Sequence, residues 1–260
     1  MDRQDNLDFC IHYLMRQDGV DADVPPTLEG KQRLLRALMN VWQPQLLSEE
    51  FLHAQNAELQ AQLQDKGIVD CDKASMLECE SELSLWQGDI TRLKVDSIVN
   101  AANSVGLGCW HPLHACIDNA IHSAAGLQLR QECNRVLDGV RIATGNAIIT
   151  PAYNLPCRHV LHTVGPIIPD GVPTRKQEEQ LADCYRNCLG LAEANGCRSI
   201  AFCCISTGEF RFPNRRAAEI AIDMVHSWLH GTQAASLRTV IFNVFRDIDY
   251  DIYRELLAAR

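Results

Sequence analysis

The stretch from Ser97 to Asp118 reads SIVNAANSVGLGCWHPLHACID, and the order of its parts decides the fold class. Its beginning, Ser97–Ala102, is a short and largely apolar run, which predicts a strand covered on both faces. Its end opens the segment Cys116–Ala125, where the apolar residues follow helical spacing. A strand, a loop and a helix in this order form the repeating unit of an α/β protein.

The same alternation continues to the end of the chain. Strands are predicted at Glu82–Trp86, Ser97–Ala102, Asn146–Thr150, His159–Val164, Ser199–Ile205 and Arg238–Phe245. Helices are predicted at Cys116–Ala125, Gln128–Leu137, Lys176–Asn195, Asn214–His230 and Asp249–Ala259. This pattern predicts a three-layer α/β/α sandwich around a largely parallel or mixed central sheet. Because ligands of such sheets bind beyond the carboxyl ends of strands, the candidate loops are 88–92, 103–117 and 205–213.

The amino-terminal third of the chain has a different character. Apolar residues recur there at helical spacing, and breaks are predicted at Pro25, Pro26 and Gly67. We therefore expect a helical extension over residues 1–80, followed by the α/β domain over 81–260. The extension is either a cap on that domain, which we favour, or a surface for a partner.

Composition excludes several classes of function. The chain has 24 basic and 33 acidic residues, a formal charge of −9, and 47% hydrophobic residues. This balance argues against nonspecific binding to nucleic acid, and no apolar run approaches the length that spans a membrane. The start, MDRQDNLDFC, is too acidic for a signal peptide, so the expected location is the cytoplasm and the twelve cysteines are expected to be reduced thiols.

The loop after the fifth predicted strand reads STGEFRFPN from Ser206 to Asn214. Its hydroxyls, the small Gly208 and the helix start that follows can together hold a diphosphate without a lysine. The alternative is an ordinary turn in which Asn214 caps the helix. The chain has neither GxGxxG nor GxxxxGK[ST], so a standard dinucleotide fold and a P-loop are not supported.

The loop after Ser97–Ala102 holds two cysteines and two histidines within eight residues: Cys109, His111, His114 and Cys116. Thiolate and imidazole are the preferred ligands of zinc. Three readings are open: a four-ligand structural site, a three-ligand site with one open position, and chance clustering in a cysteine-rich chain. The spacing does not choose between the two histidines.

Polar residues flank this cluster. Asp118 either caps the next helix or orients a water or a ribose hydroxyl beside a metal. Asn100 and Asn103 lie at the end of a strand, where they either face a ligand or satisfy a turn. His122, His159 and His162 lie in periodic segments and are predicted to be core or second-layer residues rather than ligands.

Five segments, taken in order, resemble the motifs of the macrodomain family of ADP-ribose-binding and ADP-ribosyl-hydrolysing proteins. They are GDIT at 88–91, VNAANS at 99–104, AIHSAAG at 120–126, HTVGP at 162–166 and ISTG at 205–208. The resemblance covers residues 82–260. It implies a macrodomain sheet and ADP-ribose as a ligand.

The stretch GCWHPLHACID at 108–118 replaces the glycine-rich segment of many macrodomain hydrolases, and it resembles the zinc-dependent microbial subgroup. This resemblance implies that Cys109, His114 and Cys116 bind Zn²⁺ and that His111 occupies a variable position. The helical extension is also similar to that of the subgroup.

The resemblance also implies roles at the nucleotide. Asp89 would accept a hydrogen bond from the adenine amino group, aided by the backbone of Ile90, and Asn103 would contact the distal ribose. The diphosphate would be wrapped by Ser206, Thr207, Gly208, Glu209 and Phe210. Arg211 stands where many macrodomains have a further glycine, which puts the second half of this loop in question.

The function implied is hydrolysis of mono-ADP-ribose from a modified protein, with an ester-linked acidic side chain as acceptor. Asn103 and Asp118 would be catalytic, and zinc would be either catalytic or a structural staple of its loop. A lipoylated carrier related to the glycine-cleavage H protein is implied as a protein partner. The alternative is a reader module that binds ADP-ribose and does no chemistry.

Overall fold

A computed structural model describes residues 2–70, 77–80, 83–231 and 236–259. The helices are α1 (Arg3–Asp18), α2 (Leu28–Val41), α3 (Glu49–Lys66), α4 (Ile117–Ala125), α5 (Leu127–Leu137), α6 (Arg175–Ala194), α7 (Asn214–Leu229) and α8 (Asp247–Ala258). The strands are β1 (Val69–Asp70), β2 (Leu77–Glu80), β3 (Leu83–Gln87), β4 (Leu93–Lys94), β5 (Ser97–Ala101), β6 (Ala147–Pro151), β7 (His159–Thr163), β8 (Ser199–Phe202) and β9 (Thr239–Val244). Every predicted strand and helix is present, and the largest shift of an end is from Ile205 to Phe202.

The main sheet has seven strands in the order β2-β3-β9-β8-β5-β7-β6. Its five central strands are parallel, whereas the edge strands β2 and β6 run antiparallel to their neighbours. The sheet is therefore mixed, which is one of the two forms that the sequence pattern allows. Strands β1 and β4 pair separately as a short parallel ribbon.

Helices cover both faces of the sheet, as contacts of β7 and β8 indicate. The ring of His162 lies 5.6 Å from that of His122 in α4, and its Nε2 lies 3.6 Å from the sulphur of Cys133 in α5. On the other face, Tyr185 of α6 packs on Phe202 of β8 at 4.9 Å between ring centroids. The sheet is thus buried between two helical layers, which explains its nearly continuous apolar strands.

The edge strand β2 differs from the sequence prediction. Leu77–Glu80 pairs antiparallel with β3, with Leu77 opposite Leu85, whereas the sequence placed these residues in a helical extension ending at residue 80. A four-residue strand is too short to display a reliable period, and its pairing depends on a neighbour. Glu82, the first residue of the predicted first strand, lies outside the described residues.

Helices α1 to α3 form a bundle with a hydrophobic core of its own, in which Trp42 and Phe51 are fully buried. Thr27 and Ser48 cap the starts of α2 and α3, and Gly67 follows α3 at φ +76°. Both α2 and α3 contact α4, so the bundle forms a further layer outside the sandwich. Among the described helices, none is both long and apolar enough to cross a bilayer.

Asp96 fastens the amino ends of three parallel strands. Its carboxylate accepts hydrogen bonds from the backbone N–H groups of Arg198 (2.7 Å) and Ser199 (3.2 Å), and its carbonyl accepts from Arg158 and His159 at 3.0 Å each. Burial raises the pKa of the Asp96 carboxyl group. The backbone N–H groups of Arg198 and Ser199 and the side chain of Arg158 outweigh burial, so the pKa lies below its usual value.

We expect the Asp96→Asn variant to lose about 1–2 kcal/mol of unfolding free energy at pH 7, because a charge-assisted hydrogen-bond acceptor is removed. A carboxyl group with a depressed folded pKa stabilises the protein above its unfolded pKa of about 3.9, and the benefit disappears as pH falls through the folded value. Urea unfolding at pH 7 and near pH 3 measures this. A difference between wild type and variant that persists undiminished at low pH would contradict the assignment.

Candidate functional site

A cavity of about 1080 Å³ lies at the carboxyl ends of the parallel strands. The loops after β3, β5, β8 and β9 surround it, and α2 and α3 of the bundle form its far wall. Every predicted site residue lines it: Asp89, Ile90, Asn103, Cys109, His114, Cys116, Asp118, Ser206, Thr207, Gly208, Glu209 and Phe210. The three loops selected from the sequence therefore meet in one place.

Asp89 starts the loop after β3. Its Oδ1 accepts hydrogen bonds from the backbone N–H (3.0 Å) and hydroxyl (2.6 Å) of Thr91, and Lys66 of α3 lies 3.3 Å from its Oδ2. Burial raises the pKa of Asp89, but Thr91 and Lys66 outweigh burial, so the carboxyl is held below its usual pKa. The charged carboxylate is thus preserved at the cavity edge as an acceptor.

Asn103 organises the loop after β5. Its Oδ1 accepts from the N–H groups of Val105 (3.0 Å) and Gly106 (3.3 Å), and its Nδ2 donates to the carbonyl of Gly108 (3.0 Å). The same Nδ2 lies 3.2 Å from Oδ2 of Asp118. The amide therefore fixes the turn and at the same time reaches the buried carboxylate.

Asp118 is buried in the first turn of α4, with 5% of its surface exposed. The helix is capped by the sulphur of Cys116, which accepts from the N–H of Asn119 at 3.4 Å, so Asp118 is not the cap. Its Oδ1 accepts from Asn100 Nδ2 at 2.8 Å, and burial raises its pKa to about 6. Two asparagine amides thus hold this carboxylate in one orientation.

Cys109, His114 and Cys116 present their ligand atoms within 4.8 Å of one another. His114 Nδ1 lies 3.5 Å from Cys109 Sγ, and its Nε2 lies 3.6 Å from the carboxylate of Glu209. Burial raises the pKa of Cys116 to about 12, so a cation is needed to hold this sulphur as a thiolate. Two sulphurs and one imidazole form a donor set that suits Zn²⁺ and leaves a fourth position open.

A second group of possible donors, His122, Cys133 and His162, lies behind Asp118 and is wholly buried. Thr150 Oγ1 and Asn100 Nδ2 lie 3.0 and 3.1 Å from the two ring nitrogens of His162. His122 and His162 are buried as predicted, whereas His159 at the start of β7 is only partly buried.

The loop after β8 reverses direction through two left-handed residues, Ser206 (φ +66°) and Arg211 (φ +58°). The N–H of Phe212 donates to the carbonyl of Ser206 at 3.0 Å and closes the loop. Arg211 therefore adopts the left-handed conformation that a glycine adopts easily. The loop thus makes its second turn although arginine stands where many macrodomains have glycine. The alternative in which Asn214 caps the helix is not observed: Pro213 precedes α7, and Asn214 donates to Asp249 at 2.5 Å.

Sequence reasoning missed two residues of the bundle and one of α5 that reach this site. Arg36 and Asn40 of α2 bond to the loop between Cys109 and Cys116, and Arg130 of α5 lies buried against Trp110 with its guanidinium 4.2 Å from the ring centroid. These residues follow ordinary helical patterns, so no local signal distinguished them.

The Macro domain family profile matches residues 99–221. A protein-ADP-ribose hydrolase of Treponema medium is 46% identical over 266 residues, covering 99% of this chain and 100% of that protein. The chain belongs to the macrodomain family. A protein-ADP-ribose hydrolase of Staphylococcus aureus (strain MRSA252) is 43% identical, covering 96% of this chain and 94% of that one.

Solved macrodomain structures share the architecture. A Trypanosoma brucei macrodomain in complex with ADP-ribose superposes with a TM-score of 0.66 at 28% identity, covering 91% of this chain and 97% of that one. The Oceanobacillus iheyensis macrodomain with ADP gives a TM-score of 0.62 at 38% identity, covering 71% of this chain and 94% of that one. The fold predicted from the sequence is confirmed.

Two glycines of this macrodomain allow a matched test of loop packing. Gly108 (φ +83°) and Gly139 (φ +80°) have the same backbone conformation, but a Cβ at Gly108 would lie 2.8 Å from the ring of His122, whereas one at Gly139 meets nothing within 4 Å. We expect Gly139→Ala to cost about 1 kcal/mol of stability and Gly108→Ala about 1–3 kcal/mol more. Urea unfolding compares them, and equal losses would contradict the close packing of His122 under the loop.

Proposed function

We propose that this macrodomain hydrolyses the bond between mono-ADP-ribose and a modified protein side chain, releasing ADP-ribose and the free side chain. The observation that carries the proposal is the meeting of Asn103, Asp118 and a three-donor metal group in one cavity. Two relatives that match nearly the whole chain are named protein-ADP-ribose hydrolases, which supports the same reaction here.

The nucleotide half of the substrate fits the loops after β3 and β8. Asp89 and the backbone of Ile90 would receive the adenine. Ser206, Thr207, Gly208, Glu209 and Phe210 would surround the diphosphate. Within the described ranges, the N–H groups of Gly208 and Glu209 donate to no protein atom, and a Cβ at Gly208 would meet nothing within 4 Å. Free amides around open space are suited to phosphate oxygens.

The reacting end fits the loop after β5. Water attacks C1″ of the distal ribose, and the bond from C1″ to the acceptor oxygen breaks, so that a carboxylate leaves when the linkage is an ester. Asn103 would position the ribose, and the fixed carboxylate of Asp118 would accept a hydrogen bond from the attacking water or a ribose hydroxyl. Such orientation removes several kcal/mol from a barrier.

Cys109, His114 and Cys116 would hold Zn²⁺, with His114 using Nδ1 because that nitrogen faces Cys109 Sγ at 3.5 Å. A bound zinc ion supplies Lewis acidity to an oxygen ligand. The resemblance to the zinc-dependent subgroup supports a lipoylated carrier related to the glycine-cleavage H protein as the modified protein.

Metal content tests the donor set. We expect about one zinc per chain by elemental analysis and its loss in Cys116→Ser, because two protein ligands alone hold zinc poorly. Cys157→Ala removes a half-buried thiol outside the group and serves as the control. Undiminished turnover of an ester-linked ADP-ribosylated substrate after verified zinc removal would refute the zinc role.

Substitutions of Asp118 and Asp89 are expected to have different effects, one on catalysis and the other on ADP-ribose binding. Asp118→Asn should lower kcat about 10²–10⁴-fold with little change in ADP-ribose affinity. Asp89→Asn should instead weaken ADP-ribose binding about tenfold or more, because a charged acceptor for the adenine is lost. Single-turnover kinetics and calorimetry measure the two effects. Tight ADP-ribose binding by wild type with no release from a modified protein would identify a reader and overturn the proposal.

A further inference from the structure

The loop from Cys109 to Cys116 supports itself poorly. Within this described segment, a single backbone hydrogen bond is formed, from the N–H of His114 to the carbonyl of His111 at 3.2 Å. Leu113, directly before His114, adopts φ +59°, which strains a residue with a side chain. Contacts from outside the loop must therefore keep the donor atoms of Cys109, His114 and Cys116 together.

Asn40 of α2 makes one of these contacts. Its side chain is buried, with 1% of the residue exposed, and its Oδ1 accepts from the N–H of Leu113 at 2.9 Å. Its Nδ2 donates to Ser123 Oγ of α4 at 3.0 Å. The strained peptide beside His114 is thus held by a residue 73 positions earlier in the chain.

Arg36, one helical turn before Asn40, makes the second set of contacts. Its guanidinium donates to Asn119 Oδ1 at 2.7 and 3.1 Å and to the carbonyl of His114 at 3.4 Å. Asn119 is fully buried, and its Nδ2 donates to the carbonyl of His111 at 3.0 Å. Both ends of the turn that contains the histidine ligand are therefore fixed by α2 and α4.

Arg130 holds α2 itself in place. Its Nη1 donates to the carbonyls of Met39 (3.1 Å), Asn40 (3.0 Å) and Trp42 (2.7 Å), which satisfies the end of the helix. The same guanidinium covers Trp110, the residue after Cys109. One buried side chain thus sets the position of α2 relative to the first ligand.

We propose that α2 of the amino-terminal bundle is a positioning element for the metal site, with Arg36 and Asn40 as its positioning residues. The inference rests on the proposed zinc binding by Cys109, His114 and Cys116. Residues that orient metal ligands through hydrogen bonds contribute about 10–100-fold to metal affinity. The bundle is then part of the site and not only a cover for the sandwich.

The test measures zinc affinity of the full chain by competition with a chelator, without any substrate. We expect Asn40→Ala to raise the zinc Kd about 10–100-fold. Gln55→Ala is the matched control, because this buried α3 amide also crosses from the bundle, accepting from the N–H of Leu127 at 3.0 Å, but does not touch the metal loop. Gln55→Ala should lower the stability of the protein and leave the zinc Kd unchanged.

Arg36→Gln, at a half-buried position, is expected to raise the zinc Kd in the same direction and serves if Asn40→Ala does not fold. A zinc Kd in the Arg36 and Asn40 variants equal to that of Gln55→Ala would overturn the positioning role while leaving zinc binding intact. Wild type that binds no zinc would overturn the proposed metal site and this inference together. The two failures are thus distinguishable.

Discussion

A loop without regular structure must have its buried polar groups satisfied by other parts of the chain. The segment between β5 and α4 is such a loop, and it carries the three candidate metal donors and leads to Asp118. Its first half is held from within, by the side chain of Asn103, whereas Asn40 and Arg36 of α2 and Asn119 of α4 bond to its second half. The position of this segment at the cavity therefore depends on both α2 and α4.

Elements with a clear period were predictable from the sequence, because buried strands and amphipathic helices display their environment in their composition. The strand Leu77–Glu80 was not, since its conformation comes from pairing with β3. The choice of His114 over His111 came from family resemblance. In the structure His114 Nδ1 faces the sulphur of Cys109, which spacing along a loop does not encode.

The site was predictable as far as the loops after β3, β5 and β8, since parallel strands bring their carboxyl ends to one edge. Contacts between Arg36 or Asn40 and the loop lay beyond sequence reasoning, because they join residues more than 70 positions apart. The left-handed conformation of Arg211 was also not predictable, because no local sequence pattern indicates it for an arginine.

The bundle and the sandwich keep separate hydrophobic clusters, with Leu127 of α5 reaching into the bundle's own. Their seam is instead rich in amides and guanidinium groups, such as Gln55, Asn40 and Arg130. Directional bonds specify an angle, whereas apolar area supplies mainly adhesion. A conservative apolar exchange within either core therefore leaves the angle between bundle and sandwich unchanged, whereas the loss of one interface side chain leaves its buried partner unsatisfied.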